Sequence, residues 1–175
     1  MKIVISFMDF RIPNNETQFY AQTNYLWKNA EQTVSTHKAH IVVSILGGEN
    51  VKETEELLVK ISSSCLKQHN AIALYSDRVV YEPQFYIDKS GMINTGDFPI
   101  LNSIWFGIYR NENIKGFYTY GLYRFGYKEI EIYSHNNSNI NELHILIVEI
   151  TAYVLLTMML NCTVEKLLDF QKNKN

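Results

Sequence analysis

Residues 105–133 read WFGIYRNENIKGFYTYGLYRFGYKEIEIY, and the fold class turns on this stretch. Ile100–Arg110 is rich in β-branched and aromatic residues and reads as a strand. Asn111-Glu112-Asn113 is a turn, and Lys115–Tyr120 returns as the hairpin partner. Gly121–Gly126 holds a second reversal. Lys128–Tyr133 then alternates charged and apolar residues with a period of two, the pattern of a half-buried strand.

Working outward, Lys2–Phe10 is apolar and β-branched and reads as a first strand. Pro13-Asn14-Asn15 breaks it. Asn15 and Gln18 have capping-box spacing, which predicts a helix over Glu16–Glu31 with Phe19, Thr23, Leu26 and Ala30 inward and Tyr20 and Trp27 beside them. His40–Leu46 reads as a buried strand closed by Gly47-Gly48. Asn50 caps the next helix, with Glu53, Glu55 and Glu56 near its N-terminus and Leu57, Leu58, Ile61 and Cys65 on one stripe. Ala71–Val80 is a third strand, interrupted near Asp77, and Pro83–Asp88 a short helix followed by a loop over Lys89–Asp97. After the aromatic stretch come a polar loop, Asn136–Asn141, and a long helix from Ile140 to Asn161. This order predicts an α+β fold: a mixed or antiparallel β-sheet with helices packed mainly on one face, a two-layer sandwich. One domain is expected over residues 1–170, followed by a polar tail over 171–175.

Composition narrows the function classes. The 175 residues hold 16 Lys plus Arg against 18 Asp plus Glu, a net charge of 16 − 18 = −2. That balance gives no strong nucleic-acid signal, since a polyanion is held largely by charge. Apolar residues make up 46%, too many for a disordered chain. Two cysteines, Cys65 and Cys162, cannot build a disulfide scaffold or a Cys-rich zinc site and read as reduced core thiols of a cytoplasmic protein. Asp9 and Arg11 interrupt the N-terminal apolar run, so it reads as a strand rather than a signal peptide. Leu143–Leu160 has the length of a membrane span, but Glu149 stands in its middle, and a largely buried amphipathic helix fits better. No membrane partner is expected.

Candidate chemistry is sparse. His37 and His40 lack a third ligand at metal spacing. Glu129 and Glu131, two apart on a strand, would share a face and could act as an acid/base or cation-holding pair, or simply line a solvent-facing strand. Glu149 either faces solvent or is buried and paired. Nucleophile-elbow and phosphate-loop motifs are absent, and no catalytic, cofactor or metal set is expected. The anomaly is the aromatic stretch: 10 of the 23 aromatics fall within its 29 residues. Tyr118, Tyr120, Tyr123, Arg124 and Tyr127 are the expected interaction surface, because tyrosine suits a half-exposed binding face.

The order NYLWKNAE (Asn24–Glu31), HKAHIVVSILGG (His37–Gly48), AIALY (Ala71–Tyr75) and GFYTYGLYRFGYKEIEI (Gly116–Ile132) resembles the uncharacterised bacterial domain-of-unknown-function family 4261. The most specific piece is Thr-x-Gly-Leu-x-x-Phe-Gly-x-x-Glu-x-Glu, met by Thr119, Gly121, Leu122, Phe125, Gly126, Glu129 and Glu131. The chain departs from the family after its last helix, where Asn161-Cys162-Thr163-Val164 stands in place of an acidic-glycine turn. The resemblance implies a compact cytosolic bacterial domain and carries over no activity. It marks Trp27, His40, Thr119, Gly121, Glu129 and Glu131 as positions of a shared surface. The expectation is a non-enzymatic module of immunity or antitoxin type that binds another protein; the alternative is a hydrolytic or metal-assisted enzyme centred on His40, Glu129 and Glu131.

Overall fold

The computed structural model describes residues 1–135 and 139–172, with side chains described to residue 157. The chain divides into two compact units, Met1–Trp105 and Phe106–Asn175. The division falls at the start of a strand, not in a linker, so no shift in composition marks it. The architecture is α+β. Its strands form three small antiparallel sheets rather than one.

In the first unit, β1 (Lys2–Met8) pairs along its whole length with β2 (His40–Leu46), from Lys2 opposite Leu46 to Met8 opposite His40. Directly opposed residues share a face. The register therefore gathers Ile3, Ile5, Phe7, Ile41, Val43 and Ile45 on one apolar face. The expected burial of His40–Leu46 is corrected here: Ile41, Val42 and Leu46 are exposed, as are Ile3, Ile5 and Phe7. A ribbon of two strands has two faces, and the helix packed against β2 cannot cover both.

The helix expected over Glu16–Glu31 is two short pieces, α1 (Glu16–Ala21) and α2 (Ala30–Val34). Asn15 sits in the left-handed region at φ 53° and makes no capping bond, so the capping box does not form. The break belongs to Asn24. Its side-chain oxygen accepts from the backbone N–H groups of Leu26 and Trp27, each at 3.0 Å, and its amide donates to the carbonyl of Val80 at 2.6 Å. A short polar side chain that satisfies the backbone locally competes with the helix. Phe19 and Leu26, expected inward, are exposed. Ala21, Ala30, Val34 and Val80 form a buried cluster with Tyr20, Trp27, Ala73 and Tyr75 packed against it.

Asn50 caps α3 (Val51–Leu66) as expected, accepting from the N–H groups of Lys52 and Glu53 while its amide reaches the Glu53 carboxylate at 3.0 Å. The buried face is rotated from the expected stripe: Val59, Ser62, Ser63 and Leu66 are buried with Glu55, while Leu57, Leu58, Ile61 and Cys65 are half-buried. The two serines admit a close neighbour, and the Ser63 and Ser90 hydroxyls meet at 2.9 Å. The expected strand Ala71–Val80 is a hairpin. Strands β3 (Leu74–Ser76) and β4 (Val79–Tyr81) are joined through Asp77 and Arg78, both at positive φ (48° and 66°), as a two-residue hairpin turn demands. Tyr75 lies beside Tyr20 and donates its hydroxyl proton to Glu16 at 2.7 Å; burial and that carboxylate raise its pKa above the ordinary tyrosine value. Helix α4 (Pro83–Ser90) starts with proline at its first turn, where no N–H is needed. Ile100–Ser103, expected as strand, is a helical turn, α5, after Pro99.

The second unit is a three-stranded sheet, β5 (Trp105–Arg110), β6 (Ile114–Tyr120) and β7 (Glu131–His135), with the long helix α6 (Ile140–Lys172) packed on β6 and β7. Asn111 closes the first hairpin, its side chain accepting from the N–H groups of Asn113 and Ile114. Helix α6 runs past the expected end at Asn161 and through Gln171, because no Gly or Pro interrupts residues 158–172. Three residues of the expected loop, 136–138, and the last three of the expected tail, 173–175, lie outside the described residues.

The triple role of Asn24 makes it a test of the first unit. Asn24→Ala is expected to lower the unfolding free energy by about 2 kcal/mol, since it removes a buried carbonyl's donor and a local turn together. Chemical denaturation measures this.

Candidate functional site

The second unit holds the aromatic stretch, and its geometry begins with Glu129. Gly121 and Gly126 adopt φ of 118° and 81°, conformations that favour glycine. They bracket a 3₁₀ turn, Leu122–Phe125. The N-terminus of that turn presents unpaired N–H groups. The Glu129 carboxylate accepts from Gly121 at 3.0 Å, Leu122 at 3.3 Å and Tyr123 at 3.2 Å, and from the Thr119 hydroxyl at 2.7 Å. The Thr119 oxygen also accepts from the Ile130 N–H at 2.8 Å. A carboxylate in a nest of backbone N–H groups is a strong, charge-assisted arrangement.

The Thr-x-Gly-Leu-x-x-Phe-Gly-x-x-Glu pattern is thereby explained as a folding device. Thr119 bridges two elements, Gly121 turns the chain, Leu122 and Phe125 are buried, Gly126 closes the turn and Glu129 binds it. The expected pairing of Glu129 with Glu131 is corrected. Strand β7 begins at Glu131, so Glu129 lies before it and turns into the nest. Glu131 is exposed, opposite Tyr118.

Along the strands the aromatics sort by type. Phe106, Phe117 and Phe125 are buried, at 3, 4 and 6% exposure, whereas Tyr109, Tyr123 and Tyr133 are 52, 52 and 70% exposed. His144 of α6 sits against the buried rings, 5.9 Å from Phe106 and 5.0 Å from Phe117. Burial holds its pKa below the ordinary histidine value. On the other face, Tyr118 is partly exposed and its ring fills the space above Gly107, where a Cβ would stand. Gly116 is fixed by the backbone of Ile132 and Tyr133, which a side chain would strike. Gly107 thus lets the Tyr118 ring lie across β5, and Gly116 lets the backbone of β7 approach β6 closely.

Of the expected surface, Tyr118 and Tyr123 are exposed, while Tyr120, Arg124 and Tyr127 are half-buried. The Tyr120 and Tyr123 rings lie 6.0 Å apart, and Arg124 lies over the Phe125 ring. Tyr109 and Tyr133 were missed as surface residues; strand alternation from Phe106 on β5 and from Ile132 on β7 would have found them. In the first unit, His40 donates from Nδ1 to the Phe10 carbonyl at 2.9 Å and packs edge-on against that ring. His37 donates to the Val34 carbonyl and accepts from the Ile12 N–H at 2.9 Å, so both ring nitrogens are used. Among the described residues no three His, Cys, Asp or Glu side chains come together as a metal site.

Glu149 faces solvent. The helix around it is not the largely buried one expected: only 17% of Ile140–Thr157 is buried, along the stripe Ile147, Thr151 and Leu155. Among the described residues this is the one helix long and apolar enough to cross a membrane. Ile145, Leu146, Tyr153 and Leu156 are exposed on it.

No family model, curated protein or solved structure matches the chain.

The nest separates the two glutamates. Glu129→Gln puts an NH₂ group among N–H donors and is expected to destabilise the fold by about 2 kcal/mol, while Glu131→Gln stays within about 0.5 kcal/mol of the parent. Two carboxylates working as a pair would respond alike. The depressed His144 pKa means that the unfolded chain binds more protons just below neutrality, so stability is expected to fall as pH drops from 7 towards 5.5. Thermal melts across that range are expected to show a shallower loss for His144→Leu.

Proposed function

We propose that this chain is a non-enzymatic interaction module of the bacterial cytoplasm, of immunity or antitoxin type and related to family 4261, that binds another protein through the outer face of its β5–β6–β7 sheet. The observation that carries this reading is the sorting of aromatics: phenylalanines inside, tyrosines outside, on strands already bonded to their neighbours. Tyrosine offers large contact area with few rotors to freeze and a hydroxyl for the partner's polar groups. Glu131 and His135 lie on this face too, opposite Tyr118 and Ile114, and add the polar groups common to protein interfaces. The engagement of Glu129 and His40 with their own backbone supports binding over catalysis.

The test is retention of a partner purified from the native host. Wild-type protein is expected to hold it, and the triple variant Tyr109→Ser, Tyr118→Ser, Tyr133→Ser to lose at least tenfold in affinity with little change in melting temperature, since interface anchors carry most of the binding energy. Equal affinity of a folded triple variant would reject this face as the interface.

A further inference from the structure

Helix α6 is longer than the sheet it packs on. Its 33 residues span about 50 Å, whereas the seven residues of β6 span about 23 Å. Ile147, Thr151 and Leu155 are buried. A second stripe, Leu146, Glu149, Tyr153 and Leu156, runs along another face of the helix and is exposed, with Leu146, Tyr153 and Leu156 at 46, 73 and 56%. His144, on the inner side, meets Phe117, so this outer stripe is separate from the tyrosine face across the sheet.

The spacing of the exposed stripe names its occupant. Its members lie alternately three and four residues apart, and the sequence keeps that spacing through Leu160, Thr163, Leu167 and Phe170. Six of these eight positions are apolar or aromatic, and neither Gly nor Pro falls between Ile140 and Lys172. A strict 3.5-residue repeat drifts around a straight helix and stays in line only against another helix that supercoils with it. A bilayer imposes no such repeat and would have to take up Glu149 from the middle of the face, which lipid disfavours. The repeat is also self-complementary. In an antiparallel pair centred on Met158, Leu156 falls opposite Leu160 of the second copy, Tyr153 opposite Thr163 and Leu146 opposite Phe170. Glu149 falls opposite Leu167 and beside Lys166, so the one acidic position of the seam meets a basic one. A parallel pair would set Glu149 against its own copy. Every position finds its partner by a single two-fold axis, as a closed dimer requires. Paired over this length, two helices bury on the order of 1,200 Å², the lower end of the range for specific, stable interfaces. We propose that the outer face of α6 is a dimerisation surface, covered by α6 of a second copy of this chain running antiparallel to it.

Sedimentation equilibrium of the full chain measures the association. The wild type is expected to reach a mass of about twice 20.4 kDa. Tyr153→Glu and Leu156→Glu, both changes at exposed positions, are each expected to weaken the dimer about tenfold or more while the near-ultraviolet circular dichroism of the folded chain persists. Crosslinking reads the orientation and stands even if those variants fail to fold. In a background with Cys65→Ala and Cys162→Ala, Glu149→Cys and Leu167→Cys proteins are mixed under reducing conditions and then oxidised. A disulfide-linked dimer is expected from the mixture and not from either protein alone, because two copies of position 149 lie about 27 Å apart along an antiparallel pair. A wild-type monomer at about 200 µM, or a dimer indifferent to both glutamate substitutions, would overturn the proposal. Crosslinking of each cysteine protein with itself would overturn the antiparallel pairing. Flotation of a monomeric chain with vesicles of phosphatidylethanolamine and phosphatidylglycerol would reject the second copy in favour of a lipid surface.

Discussion

The second unit hangs on one carboxylate. Glu129 gathers three consecutive backbone N–H groups and the Thr119 hydroxyl. Without an acceptor there, the start of the 3₁₀ turn would leave those donors to water, and the turn would lose its carboxylate tie to the chain entering β7. With it, the reversal after β6 has a defined length. Phe117 then lies opposite Ile132, and Tyr118 opposite Glu131. A slip of one residue would exchange faces and send the tyrosines inward. The chemistry of the outer surface is thus a consequence of the turn.

The apolar surfaces are unevenly covered. Helix α6 buries the stripe Ile147, Thr151 and Leu155 and leaves Ile145, Leu146 and Tyr153 exposed. Thr151 returns its hydroxyl to the Ile147 carbonyl at 2.7 Å, so the one polar residue in that stripe is satisfied. In the first unit, the β1–β2 ribbon exposes Ile3, Ile5, Phe7 and Ile41 on one face. Contiguous exposed apolar side chains on a folded domain commonly mark surfaces that another molecule covers.

The α+β class was legible because it rests on periodicity and on turn residues. His40–Leu46, the Asn50 cap and the Asn111 turn each carry a local signal strong enough to read, whereas the KEIEIY alternation predicts a strand from Lys128 and β7 begins only at Glu131. What could not be read was non-local. The helix over Glu16–Glu31 has the right spacing, but Asn24 reaches Val80, 56 residues away, and that bond belongs to the fold rather than to the segment. Glu129 looked like half of a carboxylate pair because a strand was assumed to include it; only the positive φ at Gly121 and the orphan donors beside it reveal its use. The burial of His40–Leu46 was inferred from composition, which reports what a strand could bury and not whether a layer is present to bury it.

The resemblance pattern gains a physical meaning from this. Thr119, Gly121, Gly126 and Glu129 are the parts of one turn, so their spacing carries structural information whatever the surface does. The central claim, that the Glu129 carboxylate organises the second unit, is tested most directly by amide hydrogen exchange at Gly121, Leu122 and Tyr123. These three N–H groups should exchange slowly at neutral pH, with protection approaching that of the β6 strand amides. Exchange at the rate of an unstructured peptide at all three, with β6 protected, would show that the carboxylate does not hold the turn and would contradict the account.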